Sequence, residues 1–352
     1  MTDKKISQPK YLFGLDSFGD IAVDTKGQPL TYAASIRQVV KEAVLADTLG
    51  VDIIALGEHH RSEYAISSPE TVLAGIATKT KNIKLASGVT VLSSDDPVRV
   101  FERFATLDAL SNGRAQVILG RGSFTESFPL FGYDLQDYEL LFEEKIDLFS
   151  KLLSEQPVTW EGKTRAALDK ADVFPKTESG RLETMVGVGG SPQSIVRAAA
   201  YGFPVVLAII GGSPDRFKPY VELYQRAARE FGHEEHPLGM HSPGYIADTD
   251  AQAIKEAFPR FKKAMDAVGL SRGWQPMTRD HFMNEVKNGS MYVGSPETVA
   301  QKIARAMKVV GVNRFDLVYG FGPVTAEARL HMVELYATKV IPRVRELLAE
   351  AS

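Results

Sequence analysis

Val51-Asp52-Ile53-Ile54-Ala55-Leu56-Gly57-Glu58-His59-His60 is the stretch that decides the reading of this chain. A short apolar run reads as a fully buried strand. It stops at a glycine, a carboxylate and two adjacent imidazoles. Buried strands that end in ionisable side chains are the sequence signature of the catalytic face of an α/β barrel. Two of the seven histidines stand here, so proton transfer near neutral pH becomes the leading chemistry.

Working outward, similar apolar runs occur at 11–15, 52–56, 83–91, 115–119, 183–188, 204–210, 238–246 and 315–319. Helical patterns follow nearly all of them. Between Tyr32 and Leu49 the residues Ala33, Ile36, Val39, Val40, Ala43, Val44 and Ala46 form one stripe, and Gly50 supplies the stop. Ser68-Pro69, Asp96-Pro97, Ser191-Pro192, Ser213-Pro214 and Ser295-Pro296 each set a capping residue before a first-turn proline. Such alternation implies a parallel sheet with crossover helices. Eight units favour a closed (β/α)8 TIM barrel with insertions, in the α/β class; an open doubly wound sheet is the alternative. The segments at about 154–181 and 269–292 break the repeat, as functional lids or mobile loops do. No second domain is visible, so residues 1–352 read as one domain. The tripeptide Gly-Ser-Pro recurs at Gly190, Gly212 and Gly294, marking three similar helix starts.

Composition excludes several classes. A formal charge of −3 gives no electrostatic reason to expect nucleic acid or an anionic membrane. The absence of cysteine removes disulfides, thiolate nucleophiles and Cys-type metal sites, and it fits a reducing cytoplasm. The first nine residues lack the apolar core of a signal peptide. The longest strongly apolar run, near 205–210, is too short to span a bilayer.

Four stretches carry candidate chemistry. In Glu58-His59-His60, side chains alternate faces along a strand, so only one ring can face the barrel mouth. A metal site would favour His-x-His, which makes metal a minor option beside one imidazole acting as general acid or base, oriented by a neighbour. The bland alternative is a carbonyl-capped histidine. In Gly120-Arg121-Gly122 a guanidinium can fork onto phosphate or carboxylate, or else pair with a rim acid. In Val186-Gly-Val-Gly-Gly-Ser-Pro-Gln-Ser194 a strand runs into a helix N-terminus, an anion seat with Ser191 and Ser194 as hydroxyl donors. Its spacing is neither a Rossmann fingerprint nor a P-loop. Its bland reading is an ordinary capped helix. In Leu85-Ala-Ser-Gly-Val-Thr-Val-Leu92 an internal glycine marks a tight corner or a close approach to a flat ligand.

Taken in order, several pieces resemble the bacterial luciferase-like family of flavin-dependent monooxygenases. They are Leu56-Gly-Glu-His-His60, Ser87-Gly-Val-Thr-Val-Leu92, Asp96-Pro-Val-Arg99, Asp108-Ala-Leu-Ser-Asn-Gly-Arg114, Ile118-Leu-Gly-Arg-Gly122, Gly189-Gly-Ser-Pro-Gln-Ser194 and Tyr292-Val-Gly-Ser-Pro296. The resemblance implies a TIM barrel holding FMN, with Arg121, Gly189, Gly190, Ser191 and Ser194 at its phosphate. Ser87, Gly88 and Val89 would lie behind the ring, where members often carry a non-proline cis peptide or bulge. His59 would handle protons, with Glu58 or His60 as its orienter. Gly120 stands where the family often has cysteine, so thiol-dependent features and light emission do not carry over. Similar enzymes take reduced FMN from a separate flavin reductase, use dioxygen to oxygenate a small organic substrate, and form homodimers. Lid closure over residues 269–292 would exclude water, with Trp274 or His281 facing substrate. Rival readings are a deazaflavin-dependent oxidoreductase of the same superfamily, a non-catalytic flavin-binding protein, and a phosphate-sugar barrel enzyme.

Overall fold

The computed structural model describes residues 10–270 and 273–350. The amino-terminal stretch read above for a signal peptide, and residues 271–272 of the second insertion, lie outside the described residues. Eight strands build the barrel: β1 (Leu12–Ser17), β2 (Ile53–Leu56), β3 (Lys84–Ser87), β4 (Ala115–Gly120), β5 (Glu183–Val188), β6 (Val205–Ala208), β7 (Gly239–Ile246) and β8 (Arg314–Val318). Each pairs in parallel with the next, and β8 pairs with β1 through Leu12↔Arg314 to Asp16↔Val318, which closes the ring. The closed barrel is therefore correct, and all eight predicted strands coincide with barrel strands.

Period-2 alternation sorts the side chains. Outward-facing residues such as Ile54, Leu56, Leu85 and Val117 join the large core beneath the helices. Inward-facing Ile53, Ala55, Ala86, Ile118, Met185 and Val206 form a small second cluster inside the ring. Below that cluster the barrel floor is polar. Arg314 pairs with Asp316, with Nε 2.8 Å from Oδ2, and donates to Gln116 at 2.6 Å. Gln116 donates to Glu183 at 3.0 Å, and Lys84 reaches the same carboxylate at 2.6 Å. Mutual pairing is what makes such burial affordable. A glycine at position 14 is needed here, because a Cβ would lie 2.1 Å from an Asp316 oxygen.

The two insertions behave differently. Residues 154–181 fold an antiparallel hairpin, Val158–Trp160 with Leu168–Ala171, braced by the Trp160 indole donating to Asp147 at 2.9 Å. None of this segment lines the central cavity, so it is no lid over it. Residues 269–292 contain the helix Arg279–Asn288 and do reach the cavity through Trp274, His281, Glu285 and Met291.

Candidate active site

At the C-terminal mouth of the barrel lies a cavity of about 770 Å³. Organic cofactor and ligand sites commonly measure about 300–1,000 Å³. Its wall draws on the ends of all eight strands and on the second insertion. Most of it is apolar, including Phe18, Tyr64, Phe124, Pro243, Met265 and Phe321.

One wall is set by the segment after β3. The peptide between Gly88 and Val89 is cis, and both residues line the cavity. The Val89 side chain lies against Gly120 and Gly187. A Cβ at Gly120 would come within 2.4 Å of it, and one at Gly187 within 2.7 Å. Glycine at position 120, where the resemblance led one to look for cysteine, is thus a packing requirement. Ser87 does not face the cavity. It is fully buried, and its hydroxyl accepts from the Ile118 amide at 3.1 Å, tying β3 to β4.

A second wall gathers cations around a helix start. Arg121, after β4, forms an ion pair with Glu139. The other oxygen of Glu139 accepts from Arg197 at 3.0 Å, and Arg197 also reaches Glu143 at 2.9 Å. Arg197 lies on the helix Pro192–Ala200, one turn beyond Ser194. Glu139 therefore links Arg121 to the same helix that carries the predicted seat. The Ser191 hydroxyl caps that helix at Ser194 and donates to Gln193. The Ser194 hydroxyl is buried with no hydrogen-bond partner and lies on the cavity wall. Gly189 and Arg121 line the wall too, whereas Gly190 and Ser191 sit just behind it.

A third wall is Glu58-His59-His60. Glu58 spends one oxygen on His60 Nε2 at 3.0 Å and the other on the Val91 amide at 2.8 Å. Its partner is therefore His60 and not His59, which corrects the expectation that Glu58 or His60 orients His59. Rings hold His59 instead. It stacks on Tyr64 at 4.2 Å, with Phe18 at 5.4 Å and Phe124 at 5.6 Å. Burial among them, reinforced by the nearby His60, pushes its pKa down to about 4, against the opposing effect of a hydrogen bond it donates to the Phe18 backbone. What surface His59 keeps faces the cavity, so the ring stays neutral at physiological pH. Its Nδ1 has no hydrogen-bond partner.

Sequence reasoning missed the fourth wall. Asp16 of β1 and His241 of β7 meet at 2.6 Å, Oδ2 to Nδ1, and both line the cavity with Asp316. A polar residue inside an otherwise apolar strand is the signal that marks each of them.

The residues 17–314 match the model of the luciferase-like monooxygenases. The chain belongs to that family. The alkanal monooxygenase alpha chain of Photorhabdus luminescens is 26% identical over 239 residues, covering 68% of this chain. The match spans 65% of that relative, just under two thirds of its length. Among solved structures, monooxygenase RslO1 from Streptomyces bottropensis superposes with a TM-score of 0.83 at 23% identity, over 94% of this chain and 99% of that one. The oxygenating constituent of 3,6-diketocamphane monooxygenase from Pseudomonas putida, a type II Baeyer-Villiger enzyme in complex with FMN, gives 0.76 at 22% identity, covering 95% and 99%. The coenzyme F420-dependent tetrahydromethanopterin reductase of Methanopyrus kandleri gives 0.70 at 21%, covering 96% and 100%. These superpositions establish the luciferase-like barrel. Among the described residues no three His, Cys, Asp or Glu side chains gather as a metal site, and no helix is long and apolar enough to cross a membrane.

Proposed function

We propose that this luciferase-like protein is a monooxygenase that uses reduced FMN and dioxygen to oxygenate a small, largely apolar organic substrate. The carrying observation is the unpartnered Ser194 hydroxyl near a helix start, on a cavity wall that Arg121 also lines. A buried hydroxyl without a partner is costly and points to an acceptor that arrives from outside. The residues present fit a flavin phosphate. Arg121, Ser194 and the amides of Gly189 and Gly190 would hold it, and it would compete with Glu139 for the Arg121 guanidinium.

Bound reduced FMN supplies the electrons for dioxygen activation. The chain supplies the rest. Gly88 and Val89 give a flat wall for the ring system. Phe18, Tyr64 and Phe124 exclude water around His59, where a neutral imidazole can accept or donate a hydrogen bond at the reacting face. Trp274 and His281 of the second insertion close the substrate side. A separate reductase, a cytoplasmic location and a homodimer complete the reading.

A hydride-transfer enzyme using the deazaflavin F420 is the second reading, favoured by the fold shared with the F420-dependent reductase. Fluorescence titration with FMN and with F420 decides between them. Oxygen-dependent NADH consumption, coupled through a generic flavin reductase and screened over aldehydes, ketones and terpenes, tests oxygenation. Tight F420 binding without FMN binding would overturn the first reading.

A further inference from the structure

The proposed chemistry uses His59 and leaves a second imidazole on the same cavity unassigned. His241 faces that cavity across Phe18, whose ring stands 5.4 Å from His59 and 6.0 Å from His241. Nδ1 of His241 is committed to Asp16 at 2.6 Å. Nε2 makes no hydrogen bond among the described residues, and the ring, 11% exposed, lines the cavity. The other oxygen of Asp16 is buried and unpartnered, under Gly88.

Charge counting inside the barrel gives this pair its protonation state. Asp16 and Asp316 supply two buried carboxylates against the one buried cation of Arg314, while the more exposed Lys84 and Glu183 balance each other. Asp20 lies close enough to add to the negative field at Asp16, and it shares its counter-charge Arg329 with the buried Glu42. His59 contributes nothing, being neutral. One negative charge is left over where burial penalises it. A single proton held between Asp16 and His241 removes the excess. Burial also raises the Asp16 pKa, which works in the same direction. Wherever that proton resides, on the ring or on the carboxyl, the outer nitrogen becomes an N–H. With a protonated Asp16 donating to Nδ1, the ring must carry its hydrogen on Nε2. With an ionised Asp16, the imidazolium carries hydrogens on both nitrogens.

We propose that His241, positioned by Asp16, is the general acid of the cavity, and this rests on the enzymatic reading above. As negative charge develops on an oxygen of bound substrate, the Nε2–H bond breaks and an O–H bond forms. The N–H electron pair stays on nitrogen, and the dyad regains its proton from solvent. His59 and His241 thus divide the work: a caged neutral ring on one side of Phe18, a proton store on the other. The substrate carries an oxygen function, a carbonyl or hydroxyl, on an apolar body that matches the remaining wall.

The test is histidine-selective 15N NMR of the full chain, alone and loaded with FMN, with His241 assigned by His241→Gln. At pH 7 the wild-type Nε2 should carry hydrogen. Asp316→Asn removes the excess charge without giving Nδ1 a new donor and should raise the share of bare Nε2 at pH 7. A bare wild-type Nε2 overturns the proposal, as does an Nε2 indifferent to Asp316→Asn. Should that variant not fold, Asp316→Ser is read in the same way. With a substrate that the wild type oxidises, His241→Gln should reduce kcat at least about tenfold and abolish its high-pH limb, with FMN affinity kept. Unchanged kcat refutes the acid role. If the wild type binds no FMN and oxidises nothing, the enzymatic reading fails and the catalytic half falls with it, while the NMR outcome still decides the proton store.

Discussion

The three Gly-Ser-Pro helix starts share a sequence and differ in what fills them. At Gly212 the amide donates to the Glu285 carboxylate at 3.1 Å, so the second insertion plugs that seat with its own side chain. At Ser295 the amide donates to Asp250 at 2.6 Å. At Gly190 and Ser191 no carboxylate accepts from the amides among the described residues, and the Ser194 hydroxyl one turn along the helix has no partner. Two seats are satisfied from within and one is left open beside a cavity. A helix start alone says little, since its amides accept any acceptor the fold provides. What distinguishes an external anion site is the internal anion that is missing.

The most damaging substitution for that contrast should be Arg121→Ala. A charge-assisted contact to phosphate is worth about 1.5–3 kcal/mol, so the FMN dissociation constant should rise roughly 10- to 150-fold. Fluorescence titration measures it. The paired control is Glu285→Gln. Its carboxylate is buried and also accepts from the Ser290 amide at 3.1 Å, so its neutralisation should cost folding stability of about 1–3 kcal/mol in urea unfolding. FMN affinity should change less than about twofold, since the Gly212 amide, and not the Gly190 turn, is what Glu285 occupies. If Glu285→Gln disturbs FMN as strongly as Arg121→Ala, the phosphate belongs at Gly212 and the contrast is inverted.

How far the sequence carries is visible in these same places. Proline placed every one of the five helix starts: the helices begin at Pro69, Pro97, Pro192, Pro214 and Pro296. The capping hydroxyl or carboxylate does its expected work only at Asp96 and Ser191. Fixed φ is a local property of proline, whereas a side-chain cap competes with tertiary partners, as Ser295 does in turning to Thr298. The eight strands were legible because burial on both faces forces a continuous apolar run. Asp16 and His241 were not, because their meeting depends on barrel closure between residues 225 positions apart. The hairpin at 158–171 was hidden for another reason: its strands alternate too briefly, with only Val158 and Trp160 buried in the first.

The division between groups filled from within and groups left open also runs through Glu58-His59-His60. His60 has its carboxylate; His59 has none. The folded pKa of His59, about 4, lies below the ordinary value of 6.5. The unfolded chain therefore binds this proton first as pH falls. Its contribution to stability is complete above about pH 6.5 and is lost progressively towards pH 4. Between pH 7 and pH 5 the wild type should lose about 2 kcal/mol that His59→Asn does not lose, in paired urea unfolding curves. An equal loss in both proteins would mean that the aromatic cage does not suppress the charge. It would also remove the neutral ring on which the division between His59 and His241 depends.

The finest cut is Ser194→Ala. A neutral hydroxyl bonded to phosphate contributes about 1 kcal/mol net, so FMN affinity should fall roughly fivefold, well short of Arg121→Ala. The same substitution acts in the opposite direction on the ligand-free protein. It deletes a buried oxygen that has no partner and leaves a methyl group on a helix whose hydroxyl cap comes from Ser191. Unliganded stability should therefore hold or rise slightly, by up to about 1 kcal/mol, because alanine also favours a helix interior over serine. A hydroxyl kept for folding would lose stability on removal and leave affinity alone. One kept for an incoming anion loses affinity and releases stability, and measuring both on one variant separates the two.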